Sequence, residues 1–394
     1  MIKRCNNVGV KIYVDAVFNH MAAIGGAGIA GSGCNPREKD YPGVPYKFNN
    51  FHPSCTVNDY QDAKNVRNCE LVGLKDLNQT LEYVRQQIAN YLNHCVNLGA
   101  AGFRVDAAKH MWPSDLKAIY KRVNNLPSGR RPFFYQEVID LGHEAVSKYE
   151  YIDFGAVLEF KYGTELGNAF QGRNLLKNLE NWGPEWGLLN SEDAVAFIDN
   201  HDNQRTGSKA ILTYMNPKPY KMAIAFMLAH PYGATKIISG YRFGSKDEGP
   251  PNENGNIIGP GFNHDGSCTN GWVCEHRWRQ IYNMVAFRNT VKGTEITDWW
   301  DDGSNQIAFG RGDRGFIAFA LEGDINRSFD TSLSAGVYCD VISGGLENGR
   351  CTGKSVAVDS SGSAVVHLLE TEEDGVLAIH VDAKLEVNFE MYIF

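Results

Sequence analysis

Short apolar runs that alternate with stretches of helical periodicity constrain this 394-residue chain more than any other feature. The runs are Val10–Phe18, Gly102–Asp106, Phe133–Val138, Ala156–Phe160, Val195–Ile198 and Lys236–Ser239. Their length and β-branched content predict strands. Between the first two, Leu81, Val84, Ile88, Tyr91, Leu92 and Cys95 keep the spacing of one buried face, which predicts a helix over Leu81–Leu98. Further helices are predicted over Asp115–Val123 with Ser114 as cap, Tyr220–Ala229 and Arg277–Arg288. Strand and helix in alternation give a parallel sheet with crossover helices, hence an α/β fold.

Two stretches break the rhythm. Residues 21–79 are rich in Gly, Asn, Asp and Pro with little helical period, and predict an irregular insertion after the first strand. From Ile296 the pattern becomes short alternating strands with Gly turns: Gln306–Gly310, Gly315–Ala320, Ala364–Leu369 and Val376–Val381. That predicts an antiparallel β-sandwich.

Formal charge is 38 − 46 = −8, which argues against nucleic acid as a partner, because phosphate binding wants a basic face. The longest apolar candidate for a membrane span, Met222–Ala229, falls well short of the ~20 residues needed. Six of nine Cys form close couples in loop-like sequence: Cys55 with Cys69, Cys268 with Cys274, and Cys339 with Cys351. The rival for such couples is zinc, but none has CxxC spacing or a second pair nearby. Disulfides imply an oxidising compartment. Met1-Ile-Lys-Arg-Cys5 nevertheless begins no signal peptide, so the expectation is a secreted chain incomplete at its start. Cys5 and Cys34 have no obvious partner, and Cys95 reads as a free buried thiol.

The residues that close the strands carry the most information. The first strand ends in Asp15-Ala-Val-Phe-Asn-His20 and the second runs Gly102-Phe-Arg-Val-Asp-Ala-Ala-Lys-His110. The third ends in Tyr135-Gln-Glu137 and the fifth in Phe197-Ile-Asp-Asn-His-Asp202. Each carboxylate alone has a plain reading as a helix cap or a solvated loop residue. In a parallel barrel, though, these ends converge on one mouth, and burying several like charges there is costly unless chemistry or a cation uses them. Carboxylates with neither a Ser/His couple nor a phosphate loop point to glycoside chemistry, with one acid and one nucleophile. Aromatics at 11% suit a cleft that stacks on sugars, although most aromatics serve a core.

These four segments, with Glu137-Val-Ile-Asp140 as the third, resemble the four signature regions of the α-amylase family. Lys109-His-Met-Trp112, Asn200-His-Asp-Asn-Gln-Arg205 and Trp272-Val-Cys-Glu-His-Arg-Trp-Arg279 resemble the animal enzymes in particular. The resemblance implies a (β/α)8 barrel made of residues 1–20 and 80–295, an inserted domain B over 21–79, and a C-terminal antiparallel sandwich over 296–394. The six predicted strands would then be the third to the eighth of the barrel. The activity implied is endo-hydrolysis of α-1,4-glucosidic bonds in starch, glycogen and malto-oligosaccharides by a secreted monomer.

By motif position the resemblance assigns Asp106 as nucleophile, Glu137 as general acid/base and Asp202 as the transition-state carboxylate. It implies sugar binding by His20, Lys109, His110 and His201, although a lone His more commonly serves structure. A calcium site would use side-chain oxygens of Asn19 and Asp76 and backbone carbonyls of Arg67 and His110. A chloride site would use Arg104, Asn200 and Arg242 and tune Glu137. The rivals are a plain turn residue for Asp76 and a structural salt bridge for Arg104.

The chain departs from the family in two ways: Thr206-Gly-Ser-Lys209 stands where vertebrate amylases carry a longer glycine-rich loop, and strands one and two have no counterpart. A barrel without two strands is expected to be poorly folded or inactive when expressed alone. The competing functions are a non-catalytic amylase-like binding protein, which would lose the carboxylates retained here, and a transglycosylase or α-glucosidase. Asn78-Gln-Thr80 and Asn326-Arg-Ser328 match the N-glycosylation pattern.

Overall fold

A computed structural model of the chain describes residues 1–28 and 30–386. Ile29, in the expected insertion, and residues 387–394, at the end of the expected C-terminal domain, lie outside the described residues. By compactness the chain divides into Met1–Phe160 with Glu192–Val195, and Lys161–Ser191 with Ala196–Phe394.

The parallel sheet has six strands in sequential order: β1 Tyr13–Ala16, β2 Gly102–Val105, β3 Phe133–Gln136, β4 Ala156–Leu158, β5 Ala194–Ala196 and β6 Ala234–Thr235. In the first unit Tyr13 pairs with Gly102 and Gly102 with Phe133 in unbroken register. Gly102 is required there, because a Cβ would collide with the Phe133 carbonyl and the Tyr13 ring. Helices α1 Glu82–Asn97 and α2 Pro113–Tyr120 connect these strands. Helix α1 buries Val84, Ile88, Leu92 and Cys95 as its periodicity requires, and Cys95 is free and buried.

The prediction for α2 needs correction at its start. Trp112 occupies the N-cap without a side-chain cap bond, and Ser114 lies inside the helix. Pro113 sets the first turn, since its fixed φ suits that position and its missing N–H is not needed there.

Between β1 and α1 the backbone is irregular, with a short helix, Ala63–Asn68. It carries antiparallel two-residue pairings, of which His20–Met21 with Lys75–Asp76 folds Asp76 back beside the end of β1.

In the second unit, α3 Phe160–Ala169, α4 Pro217–Ala229 and α5 Arg279–Thr290 accompany an all-β region. Phe160, expected to end a strand, instead opens α3. Gly163 and Gly167 hide this helix in the sequence, because glycine disfavours helix interiors. They are needed because a Cβ at either site would strike the carbonyl of Ile198 or Ala210. The sixth strand also lies earlier than expected over Lys236–Ser239, and Lys236 follows it, its N–H donating to the Ala196 carbonyl at 2.8 Å.

The all-β region is a pair of four-stranded antiparallel sheets. Its strands are β7 Ile296–Asp301, β8 Gln306–Arg311, β9 Gly315–Ala320, β10 Ile325–Asp330, β11 Gly336–Cys339, β12 Ser355–Val358, β13 Ser363–Leu368 and β14 Val376–His380. The sheet orders are β7-β8-β9-β14 and β10-β13-β12-β11. Ala308, Phe316, Phe329, Tyr338, Val366 and Ile379 form part of its core. The three predicted couples, Cys55–Cys69, Cys268–Cys274 and Cys339–Cys351, are disulfides, and Cys5 and Cys34 are free.

Candidate active site

In the first unit the polar residues gather around one guanidinium. Arg104, on β2, is buried, and its Nη1 donates to Asp15 Oδ1 at 2.7 Å and Asp106 Oδ1 at 2.8 Å. Its Nη2 donates to Glu137 Oε1 at 2.7 Å. The Ala107 N–H reaches Glu137 Oε2 at 2.9 Å. The parallel register explains the cluster: Asp15 and Arg104 are paired positions on β1 and β2, and Asp106 and Glu137 come directly after the ends of β2 and β3. Ala107 takes a positive φ of 48° to turn its N–H inward. Burial by itself would loosen the guanidinium proton, yet the carboxylates, chiefly Glu137 and Asp15, outweigh it and hold that proton more tightly than usual. Arg104 Nε is buried and has no partner.

The neighbouring motif residues are also engaged. Lys109 is buried, with Nζ donating to the Ile139 carbonyl at 2.6 Å and paired with Glu144, above the Tyr60 ring at 4.9 Å. Burial pushes His110 down to about 4, so the ring is neutral and Nδ1–H donates to the Val66 carbonyl at 2.8 Å. His20 is lowered by burial, with the charge of Asp106 opposing. Sequence reasoning missed Glu144 as the partner of Lys109 and gave Asp15 no role in the site. Asp15 was visible in the first motif, whereas nothing in the sequence links Glu144 to Lys109.

The residues implied for calcium are also in this unit. Asn19 Oδ1 and Asp76 Oδ1 are both buried without a hydrogen-bond partner, on segments joined by Leu77 N–H to the Asn19 carbonyl at 2.9 Å. The other Asp76 oxygen meets His52 Nδ1 at 2.6 Å. Arg67 spends its guanidinium on Glu150 and the Tyr151 hydroxyl. Among the described residues no group of three or more His, Cys, Asp or Glu could hold a metal. The implied set is of another kind, one amide, one carboxylate and two backbone carbonyls, and two orphaned buried oxygens fit a hard cation.

In the second unit Asn200 is buried, and its Oδ1 accepts the N–H groups of Asp202 at 3.0 Å and Asn203 at 2.7 Å. That leaves its amide N–H2 as the donor end. Asp202 and His201 are exposed, 3.7 Å apart. Arg242 is exposed, bonded through its backbone N–H to the Gly271 carbonyl. The half-buried Lys236, expected to open the sixth strand, follows it. Asp199 is buried and pushed up to about 8 by desolvation, with Oδ1 accepting the Tyr220 hydroxyl at 2.9 Å.

A cavity of about 1010 Å³ in the first unit is not at these carboxylates. Tyr13, Ala101, Phe133 and Ala156 line it at the N-terminal ends of the strands, the end of a parallel barrel that serves stability rather than chemistry.

A parallel α/β sheet with an acid and a nucleophile candidate bridged by arginine at its C-terminal end defines a glycoside hydrolase class. The description "Alpha amylase, catalytic domain" matches residues 1–132, and "Alpha amylase, C-terminal all-beta domain" matches residues 297–382. The chain is 63% identical to the α-amylase of Tribolium castaneum, over 98% of this chain and 80% of that protein. It is 61% identical to that of Tenebrio molitor, over 98% and 83%. α-Amylase I of Eisenia fetida superposes with a TM-score of 0.91 at 42% identity, covering 96% of this chain and 83% of that one. A glutamate-to-glutamine variant of the Eisenia fetida enzyme has been solved in complex with maltohexaose. The chain therefore belongs to the α-amylase family, of the invertebrate type, and its activity is that of an α-amylase.

Proposed function

We propose that the chain hydrolyses internal α-1,4-glucosidic bonds of starch, glycogen and malto-oligosaccharides by double displacement through Asp106 and Glu137. The observation that carries the assignment is the Arg104 bridge between these two carboxylates. Asp106 attacks the anomeric carbon as Glu137 gives its proton to the leaving oxygen. Glu137, now a carboxylate, takes a proton from the water that releases the sugar from Asp106. Asp202 is assigned to stabilise the oxocarbenium-like transition state by motif position. His20, His110, His201 and Lys109 are assigned to sugar hydroxyls.

Calcium would be held by Asn19, Asp76 and the carbonyls of Arg67 and His110, where it would tie the insertion to the end of β1. The orphaned oxygens of Asn19 and Asp76 support this. Chloride would be held by Arg104, Asn200 and Arg242. The unpartnered Arg104 Nε supports it, and a bound anion would disfavour ionisation of Glu137. The barrel is proposed to comprise 1–20 and 80–295, the insertion 21–79 and the sandwich 296–394. The protein is proposed to act as an extracellular monomer without nucleic-acid or membrane partners; three disulfides support the compartment, and among the described residues no helix is long and apolar enough to cross a membrane. Asp106→Asn and Glu137→Gln should each lower starch hydrolysis by orders of magnitude while leaving the fold intact. Near-normal rates in either variant would overturn the assignment.

A further inference from the structure

The chain contains two N-glycosylation patterns, at Asn78 and Asn326, and the structure treats them differently. Asn78 is half-buried, its Oδ1 accepts both the backbone N–H and the hydroxyl of Thr80, and its own N–H donates to the Asn50 carbonyl at 2.8 Å. Asn326 is exposed on β10, an edge strand of the sandwich. In β10 the residues Ile325 and Phe329 point into the core, while Asn326 and Ser328 alternate to the outer face.

The register adds a second observation. Asn326 lies opposite His367 on β13, so its diagonal neighbours on the outer face are Val365 and Leu369. These two are 54% and 48% exposed, an apolar pair on the outer face. A β-linked N-acetylglucosamine presents its C–H face to such a surface and its hydroxyls to water. We propose that Asn326 is an N-glycosylation site whose first sugar covers Val365 and Leu369 and shields the open edge of β10. The bond formed joins Asn326 Nδ2 to the anomeric carbon of an oligosaccharide carried on a lipid pyrophosphate; the anomeric C–O bond breaks, the lipid pyrophosphate leaves as an anion, and the amide nitrogen gives up one proton to the transferring enzyme's base. Bulk at an edge strand also opposes edge-to-edge pairing with another chain.

This inference rests on the extracellular reading, because the modification occurs only in the secretory pathway. The test expresses the full chain behind a secretion leader in insect cells and reads the Asn326 peptide by mass spectrometry with and without peptide-N-glycosidase. Expected is one glycan at Asn326, lost in both Asn326→Gln and Ser328→Ala and kept in Ser328→Thr. The melting temperature should fall by a few degrees in Asn326→Gln relative to the glycosylated chain, whereas Ser328→Ala would also lose the Ser328–Ser363 hydroxyl bond of 2.6 Å. Equal melting of Asn326→Gln and the glycosylated chain would overturn the packing on Val365 and Leu369. Linkage of Cys339 to Cys351, read from the same digest, reports the compartment separately. Linked cysteines with a bare Asn326, or a glycan on Asn78 alone, would overturn the site and leave the extracellular reading standing. Reduced cysteines in the secreted chain would overturn that reading and this inference with it.

Discussion

Replacing Arg104 with Gln tests how the carboxylate cluster is held. The guanidinium serves three acids whose side chains differ in exposure: Asp15 at 54%, Asp106 at 21% and Glu137 at 8%. The Asp15 pair is close to a surface ion pair and contributes about 0–1 kcal/mol. Glu137 is different, because removing its partner leaves a carboxylate in a site with little water, a loss of about 3–5 kcal/mol. Asp106 falls between the two, and the terms overlap because all three share one cation. The expected destabilisation of Arg104→Gln is therefore about 3–5 kcal/mol, dominated by Glu137. Urea unfolding would show it as a lowered midpoint with an unchanged slope. The cause is isolated by Arg104→Gln combined with Glu137→Gln, since the second change removes the stranded charge and should restore part of the stability. Arg104→Lys should lose activity even where it folds, because an ammonium lacks the planar fork that spans Asp106 and Glu137. An unchanged urea midpoint in Arg104→Gln, or no recovery in the double variant, would refute the reasoning.

Chelation by EDTA should lower the melting temperature, since an ion bound only to the folded state stabilises it by mass action; Asp76→Ala should abolish the response, and a chelator-insensitive wild type would remove the ion from the account. Asp199, pushed up to about 8 by burial, keeps a proton in the folded chain that the unfolded chain releases at an ordinary ~4. Stability should therefore decline as pH rises from about 4 to about 8, and Asp199→Asn, which retains a partner for Tyr220, should flatten that decline in calorimetric melts. Loss of the Cys339–Cys351 link, 12 residues apart in sequence, should cost about 3 kcal/mol by loop entropy, read by denaturation of a Cys339→Ser/Cys351→Ser variant.

The sequence by itself determined most element types and singled out the carboxylates from which the chemistry is proposed. Short apolar runs rich in β-branched residues favour strands when helical stretches intervene, and the period of α1 dictated its buried face. Asp106, Glu137 and Asp202 were legible because a polar residue closing an apolar strand stands out locally, and the cysteine couples were legible because their loops are short. Tertiary structure decided what depends on partners distant in the chain. Gly163 and Gly167 read as breakers until the carbonyls of Ile198 and Ala210 show that a helix must pass close to backbone there. Lys109 became an ion-paired residue only when Glu144 came within reach, and the sixth strand stops at Thr235, so that Lys236 follows it rather than opening it. Arg104 could be named from a motif, but its three simultaneous partners follow from parallel strands in register, which pair Asp15 with Arg104 across 89 positions and bring Glu137, just past the end of β3, within reach of the same guanidinium.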